Sequence, residues 1–365
     1  MRMVGFLCAF SLATVALRAG WNPRLAAQYL DKRQQEWAGW PPAKAVTGGT
    51  CFSCHTGATY LLARPAVRKV LGESRPTPYE KALVDGLRAR TGVLDARKIK
   101  SGFAAEPVAS EALGVESVYA ALFLARAADT SGTTLESGAA KAFDRLWTLQ
   151  LREGPARGAW PWLSLDLNPY EMPDSQFYGA AMAALAVGNA PAGYRQEPNV
   201  RKSVAALNAY LARARDAQPL HNRIVLLWAA TRLPDAMPEA ARRSTIEEIW
   251  QTQQADGGWS LDSLGPWHPR EGAPVSKGSN CYATGLVASV LEALPETREV
   301  DAADARLARA EAWLESHQDR QAGYWAAESM NKQYPPGSIE ASFMRDAATA
   351  FAALALSEAA GRTAK

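Results

Sequence analysis

Cysteine and histidine are scarce in this chain, with four of each in 365 residues. A full disulfide framework is excluded: once Cys8 is removed with the leader segment described next, Cys51, Cys54 and Cys281 remain, an odd number. Charge of one sign is lacking as well. Forty Lys and Arg stand against 37 Asp and Glu, a formal net charge of +3. No basic stripe accompanies it, so nothing directs the chain to nucleic acid. The apolar run from Val4 to Leu17 is too short for a membrane span. Arg2 precedes it, Ala16, Ala19 and Gly20 follow, and no acidic residue occurs before Asp31. Residues 1–20 therefore read as a signal peptide, with a buried amino-terminal helix as the competing reading. Cys8 lies too early in the run for lipid attachment. The expected destination is the periplasm or the exterior, with no stable membrane span after the signal is removed.

Small and apolar residues are plentiful. Hydrophobic residues make up 48% of the chain, enough for a large core. Ala and Leu dominate many segments and favour helix. Runs such as Gly179-Ala180-Ala181 and Ala183-Ala184 allow helices to approach closely. Twelve Trp is a high number, and their placement is informative.

The strongest local signal is Thr50-Cys51-Phe52-Ser53-Cys54-His55-Thr56. It reads Cys-x-x-Cys-His, the attachment pattern of c-type haem. Two thiols one short turn apart add to the two vinyl groups of one haem, and the adjacent His reaches the iron. Gly48-Gly49 lets the chain turn tightly before the motif. Three other readings of these residues stay open: a disulfide between Cys51 and Cys54, half of a zinc site, and a motif that carries no haem. The second iron ligand is not evident. Met172, followed by Pro173, is one candidate, although a Met so far downstream also serves as packing. His221, His268, His317 and an open position are the others. Around the motif, Leu25 to Trp40 reads as a helix stopped by Pro41-Pro42, and a second helix runs from about Ala58 to Leu71. The Trp and Tyr residues here shield a haem face or simply pack.

Further along, three segments share a pattern. Leu146-Trp147-Thr148-Leu149-Gln150 is followed by Gly158-Ala159-Trp160. Trp250-Gln251-Thr252-Gln253-Gln254 is followed by Gly257-Gly258-Trp259, and Trp313 to Gln318 by Gly323-Tyr324-Trp325. A helix ends in an aromatic and a Gln, a Gly turn places a Trp, and a polar loop leads to a small-residue helix. Those helices are Gln176–Val187, Tyr282–Leu294 and Asp346–Leu356; Glu116–Ala127 and Arg223–Arg232 fit the same position without the mark. The period of about 50–65 residues predicts stacked helical hairpins, an array or a closed ring. The Gln amide is suited to backbone groups at helix ends and the Trp to covering the turn.

This pattern resembles the Gln-Trp repeat of the squalene-hopene cyclase and protein prenyltransferase superfamily. The resemblance covers roughly residues 76–365. It implies an all-α fold: an α/α toroid of about five helical hairpins, preceded by a short helical haem-binding segment over 21–75. In those relatives the central cavity binds isoprenoids. The Cys-His motif followed by Ala63-Arg64-Pro65-Ala66 looks like bacterial proteins that join such a segment to this toroid. The superfamily's chemistry is not carried over. No Asp-x-Asp-Asp acid motif is present, Asp166 and Asp256 being isolated, and the Asp-Asp-x-x-Asp magnesium motif is missing. Ser279-Asn280-Cys281-Tyr282 and Met344-Arg345-Asp346-Ala347-Ala348 resemble the zinc strips of prenyltransferases. Ser279 and Ala348 stand where an Asp and a His ligand belong, which leaves Cys281 as a buried small residue.

Asp174, Tyr178, His221, Tyr282, Arg345 and Asp346 are further cavity candidates. Each also has a plain role, Asp174 and Asp346 as helix caps, the tyrosines as packing, His221 as a satisfied histidine. Two functions follow. One is a haem c protein in electron transfer, whose toroid docks a redox partner or holds a hydrophobic or isoprenoid ligand. The other is an isoprenoid-processing enzyme without the usual motifs. Whether the chain is an enzyme stays open at this point.

Overall fold

The computed structural model describes residues 20–100, 105–127, 134–267, 273, 277–295 and 301–363. Cys8, almost all of the expected signal peptide and His268 lie outside the described residues. The described chain is all-helical, with only isolated bridges between extended residues. Its α-helices are α1 (Pro23–Gly39), α2 (Gly57–Val70), α3 (Pro78–Ala89), α4 (Val108–Ala127), α5 (Ser137–Leu149), α6 (Ser175–Asn189), α7 (Ala192–Arg195), α8 (Pro198–Ala214), α9 (Leu220–Ala230), α10 (Glu239–Gln251), α11 (Cys281–Ala293), α12 (Asp301–His317) and α13 (Phe343–Thr363). Local chemistry sets several starts. Asn22 caps α1 through Leu25 N at 3.1 Å, ahead of Pro23. Thr77 and Glu80 form a reciprocal capping box on α3. Asn280 caps α11 through Tyr282 N and Ala283 N.

Two kinds of helix alternate along the chain. Helices α2, α4, α6, α9, α11 and α13 are buried on almost every side; α6 is buried without interruption from Phe177 to Val187. Helices α1, α3, α5, α8, α10 and α12 bury less. α8, for example, buries Val200, Ser203, Leu207, Tyr210 and Leu211, the stripe expected of an amphipathic helix against a core. α4 is long and apolar enough to cross a membrane, yet 78% of its apolar stretch is buried inside the protein, which makes it a core helix. The buried helices are neighbours in the order α4, α6, α9, α11, α13, α2. Small residues permit this: a Cβ on Gly285 of α11 would stand 2.7 Å from the Ala352 backbone nitrogen of α13.

The three Gln-Trp turns have one geometry. Each indole N–H donates to a carbonyl in the last turns of the preceding helix: Trp160 to Leu146 O (2.6 Å), Trp259 to Ile249 O (2.8 Å) and Trp325 to Leu314 O (2.7 Å). Each Gln amide donates twice. Gln150 Nε2 reaches Gly158 O at 3.0 Å and Ser203 O at 2.9 Å. Gln253 Nε2 reaches Gly257 O and Arg306 O, both at 2.9 Å, and Gln318 Nε2 reaches Gly323 O and Asn22 O, both at 3.0 Å. The Gly residues have φ of 99°, 99° and 80°. They press against Ala206, Arg309 and Leu25, three positions beyond the second Gln partner in every copy. The first two copies thus clasp α8 and α12, and the third clasps α1.

The 21–75 segment accordingly lies within the same core as the repeats. Helix α2 packs along α13, and one continuous cluster of buried residues extends from Ala26 to Leu356. A buried polar knot secures the junction. Asp346 of α13 accepts from Tyr29 Oη (2.8 Å), Arg33 Nε (2.8 Å) and Nη2 (3.1 Å), and Thr56 Oγ1 (2.9 Å). Asp346 therefore does not act as a helix cap; it sits in the first turn of α13 and ties three elements together. Asp174 precedes α6, but its side chain makes no capping bond.

Candidate functional site

The loop between α1 and α2 carries Cys51, Cys54 and His55, and it is fastened from several sides. Gly48 and Gly49 turn the chain with φ of 74° and 85°. The buried Arg90 guanidinium donates to Gly48 O (2.8 Å), Thr47 O (3.1 Å) and Glu116 Oε1 (2.6 Å). Trp37 Nε1 donates to Cys51 O at 3.0 Å, and Cys51 N to Ala43 O at 2.8 Å. Ser53 Oγ accepts from His55 N (3.2 Å) and Thr56 N (3.1 Å), which turns the chain into α2. The Thr59 hydroxyl donates to His55 O.

Cys51, Cys54 and His55 all line one cavity of about 230 Å³. Its other walls come from two loops far away in sequence. Residues 163–171 follow Trp160, and residues 329–344 follow Trp325. Asn168 and Asn331 join the loops: Asn168 N donates to Asn331 Oδ1 at 2.7 Å, and Asn331 Nδ2 to Asn168 O at 2.9 Å. Both cysteines are buried free thiols. Burial pushes the two thiols above their ordinary range, Cys54 well above it, which suppresses the thiolate.

The His55 ring stacks on Phe343 with centroids 5.1 Å apart and meets the edge of Tyr170, also at 5.1 Å. Burial pushes its pKa down to about 4, so it is neutral near pH 7. Neither of its ring nitrogens has a hydrogen-bond partner among the described residues. The hydroxyls of Tyr119 and Tyr170, buried close by, form no hydrogen bond of good geometry; Tyr119 faces Cys54 and Tyr178, and Tyr170 faces Tyr282. Glu171 also lines the cavity, and burial pushes its carboxyl up to about 7.

The remaining sequence candidates divide clearly. Met172 is buried but does not line this cavity; Glu171 and Met344 do. His317 stacks on Trp313 at 3.7 Å at the end of α12. His221 has both nitrogens engaged, Nε2 with Tyr282 Oη at 2.8 Å and Nδ1 with Asn222 Oδ1 at 2.9 Å. Tyr178 stacks on His221 at 6.0 Å. Arg345 donates to Tyr29 Oη at 2.9 Å. Ser279 donates to Asp256 Oδ1 at 2.7 Å, and Asp256 also receives Trp313 Nε1, so this acid braces the second Gly turn. The Cys281 thiol is buried and pushed up to about 12 by that burial. Among the described residues no group of three or more His, Cys, Asp or Glu is placed to hold a metal ion.

Sequence reasoning missed Glu171, Phe343 and Met344 as neighbours of the motif. The only available signal was their position in the polar loops that follow a repeat Trp. No protein-family model matches the chain, and no curated protein sequence matches it significantly.

Proposed function

We propose that this protein is an exported c-type haem protein that transfers electrons, with haem c joined to Cys51 and Cys54 and its iron held by His55. The observation that carries the reading is the buried, neutral His55 ring, with both nitrogens unpartnered, in the same cavity wall as the two cysteines. A haem iron takes four ligands from its own ring, so one His suffices where no cluster of protein ligands exists. When bound, the haem supplies one-electron oxidation and reduction. Phe343 and Tyr170 hold the imidazole plane, and Trp37, Phe52 and Leu163 give the cavity an apolar wall. The high-lying thiols disfavour a redox-active disulfide, which needs an accessible thiolate.

As it stands, the cavity is below the about 300–1,000 Å³ of common ligand pockets. Seating a haem therefore requires the Asn168 and Asn331 loops to draw back. We read the alternating helices as six hairpins in a closed α/α toroid, five from residues 76–363 and one from α1 and α2. Support comes from the packing of α2 on α13 and from the third Gln-Trp turn clasping α1. A redox partner docks on this body in our reading. The alternative, an isoprenoid-processing enzyme, has less support, because Tyr119, Tyr170, Tyr178, Tyr282 and His221 fill space between the buried helices.

Expression in a periplasm equipped for c-haem maturation tests the proposal. The expected product is red, gives a pyridine haemochrome spectrum, and keeps its haem through acid-acetone extraction. A colourless product under these conditions overturns it, and clear turnover of a polyprenyl substrate favours the alternative.

A further inference from the structure

We infer that Tyr282 is a redox-active tyrosine that gives up one electron while its phenolic proton passes to His221, and that rings on either side connect it to His55 and to the exterior. The hydrogen bond between Tyr282 Oη and His221 Nε2 is 2.8 Å long, and both residues are fully buried. Its direction follows from the neighbours. Asn222 uses its amide nitrogen on Gln218 Oε1 at 3.0 Å, so its oxygen faces His221 Nδ1 at 2.9 Å. That oxygen only accepts, so Nδ1 carries the ring proton and Nε2 presents a bare lone pair to the phenol. Burial pushes the His221 pKa down to about 4 and keeps the ring neutral and receptive. An oxidised phenol is a far stronger acid than an imidazolium, so the proton moves as the electron leaves.

Rings continue from the pair in both directions. Tyr282 meets Tyr170 at 6.3 Å, and Tyr170 meets His55 at 5.1 Å. On the other side His221 meets the edge of Trp267 at 5.4 Å, and Trp267 is half-buried. The series leads from the Cys-His cavity to the protein exterior without a gap longer than one ring contact.

The step balances. The Tyr282 O–H bond breaks, an N–H bond forms on His221 Nε2, and a neutral phenoxyl remains beside an imidazolium. The electron goes to a haem from which a peroxide, itself reduced to water, has taken two; the second returns by the same route once Tyr282 has been restored. This choice of oxidant rests on the haem reading above; the Tyr282–His221 pair does not. A later electron from an external donor enters through Trp267 and restores the phenol, the proton returning from His221.

Flash photolysis with a ruthenium polypyridyl complex and a sacrificial electron acceptor tests the pair on the haem-free full chain, read by electron paramagnetic resonance. The expected result is a phenoxyl signal that is lost in Tyr282→Phe and forms about a hundredfold more slowly in His221→Gln. 3-Fluorotyrosine placed at position 282, with the fold otherwise intact, is expected to add fluorine splitting to that signal. A signal unchanged in Tyr282→Phe, or free of fluorine splitting, overturns the inference. Hydrogen peroxide added to the haem-loaded protein is expected to raise the same signal. A signal with the photo-oxidant and none with peroxide supports the pair and removes the haem as its oxidant.

Discussion

The three Gln-Trp turns and the Cys-His cavity are built from similar materials, aromatic rings, amides and backbone carbonyls, and reach opposite states. At the turns each indole N–H and each Gln amide has backbone partners at 2.6–3.0 Å. Beside the cavity the Tyr119 and Tyr170 hydroxyls are buried without a well-formed hydrogen bond, and in its wall the His55 ring nitrogens have no protein partner among the described residues. A satisfied buried group holds a fold in place, whereas an unsatisfied one costs about 1–3 kcal/mol. Polar groups left at that cost beside two thiols call for an explanation, which the haem proposal offers. At the turns the paired indole and Gln N–H groups fasten one helix to the next.

This contrast can be broken most completely at the motif. Cys51→Ala with Cys54→Ala is expected to abolish covalent haem, read by haem staining of denaturing gels, while circular dichroism stays helical, because the repeats fold without the thiols. Breaking the link between the two regions comes next. Asp346→Ala removes the buried carboxylate that Arg33, Tyr29 and Thr56 share, leaving Arg33 only Glu36 and Ile339 O. Urea titration is expected to show a loss of about 3–5 kcal/mol.

Acid sharpens the comparison further. His221 is neutral in the fold with a pKa near 4 against 6.5 for the free side chain. Between those values the unfolded chain binds the proton and the folded one does not, so stability rises with pH. This residue's share is fully present above pH 6.5 and is lost as pH falls to about 4, a difference of about 3 kcal/mol. His221→Gln is expected to reduce the pH dependence of the urea midpoint across that window by its own share, leaving the similar share of His55. The smallest effect falls on the turns. Gln318→Ala removes the bonds to Gly323 O and Asn22 O and the acceptor of Asn22 N. A loss of about 2 kcal/mol is expected, with faster hydrogen exchange in α1. If exchange in α1 is unchanged, the clasp between the third turn and α1 does not hold the first helix.

Helix positions were largely legible because Ala and Leu content, caps and Pro stops act within a few residues. The five small-residue helices, α1 and α2 were all readable in this way. α4 starts earlier than its small-residue run suggested, at Val108. Asp174 does stand at the cap position of α6 without making the side-chain bond, and the cap proposed for Asp346 was misread, since sequence places a carboxylate near a helix start but cannot say whether a buried guanidinium lies nearer. The Cys-x-x-Cys-His spacing was legible as chemistry. The cavity around it was not, because Glu171, Phe343 and Met344 lie in loops without periodic pattern.

By itself, then, the sequence determined the all-helical class, the Gln-Trp turns and the haem-type motif, since each depends on interactions between residues close along the chain. Tertiary structure alone decided that α1 receives the third turn, that Asp346 binds Arg33 across 313 residues, and that Tyr282 meets His221 across 61. Such contacts have no local periodicity to announce them. They arise when burial forces each polar group in the core to find whichever partner the packing has brought within reach.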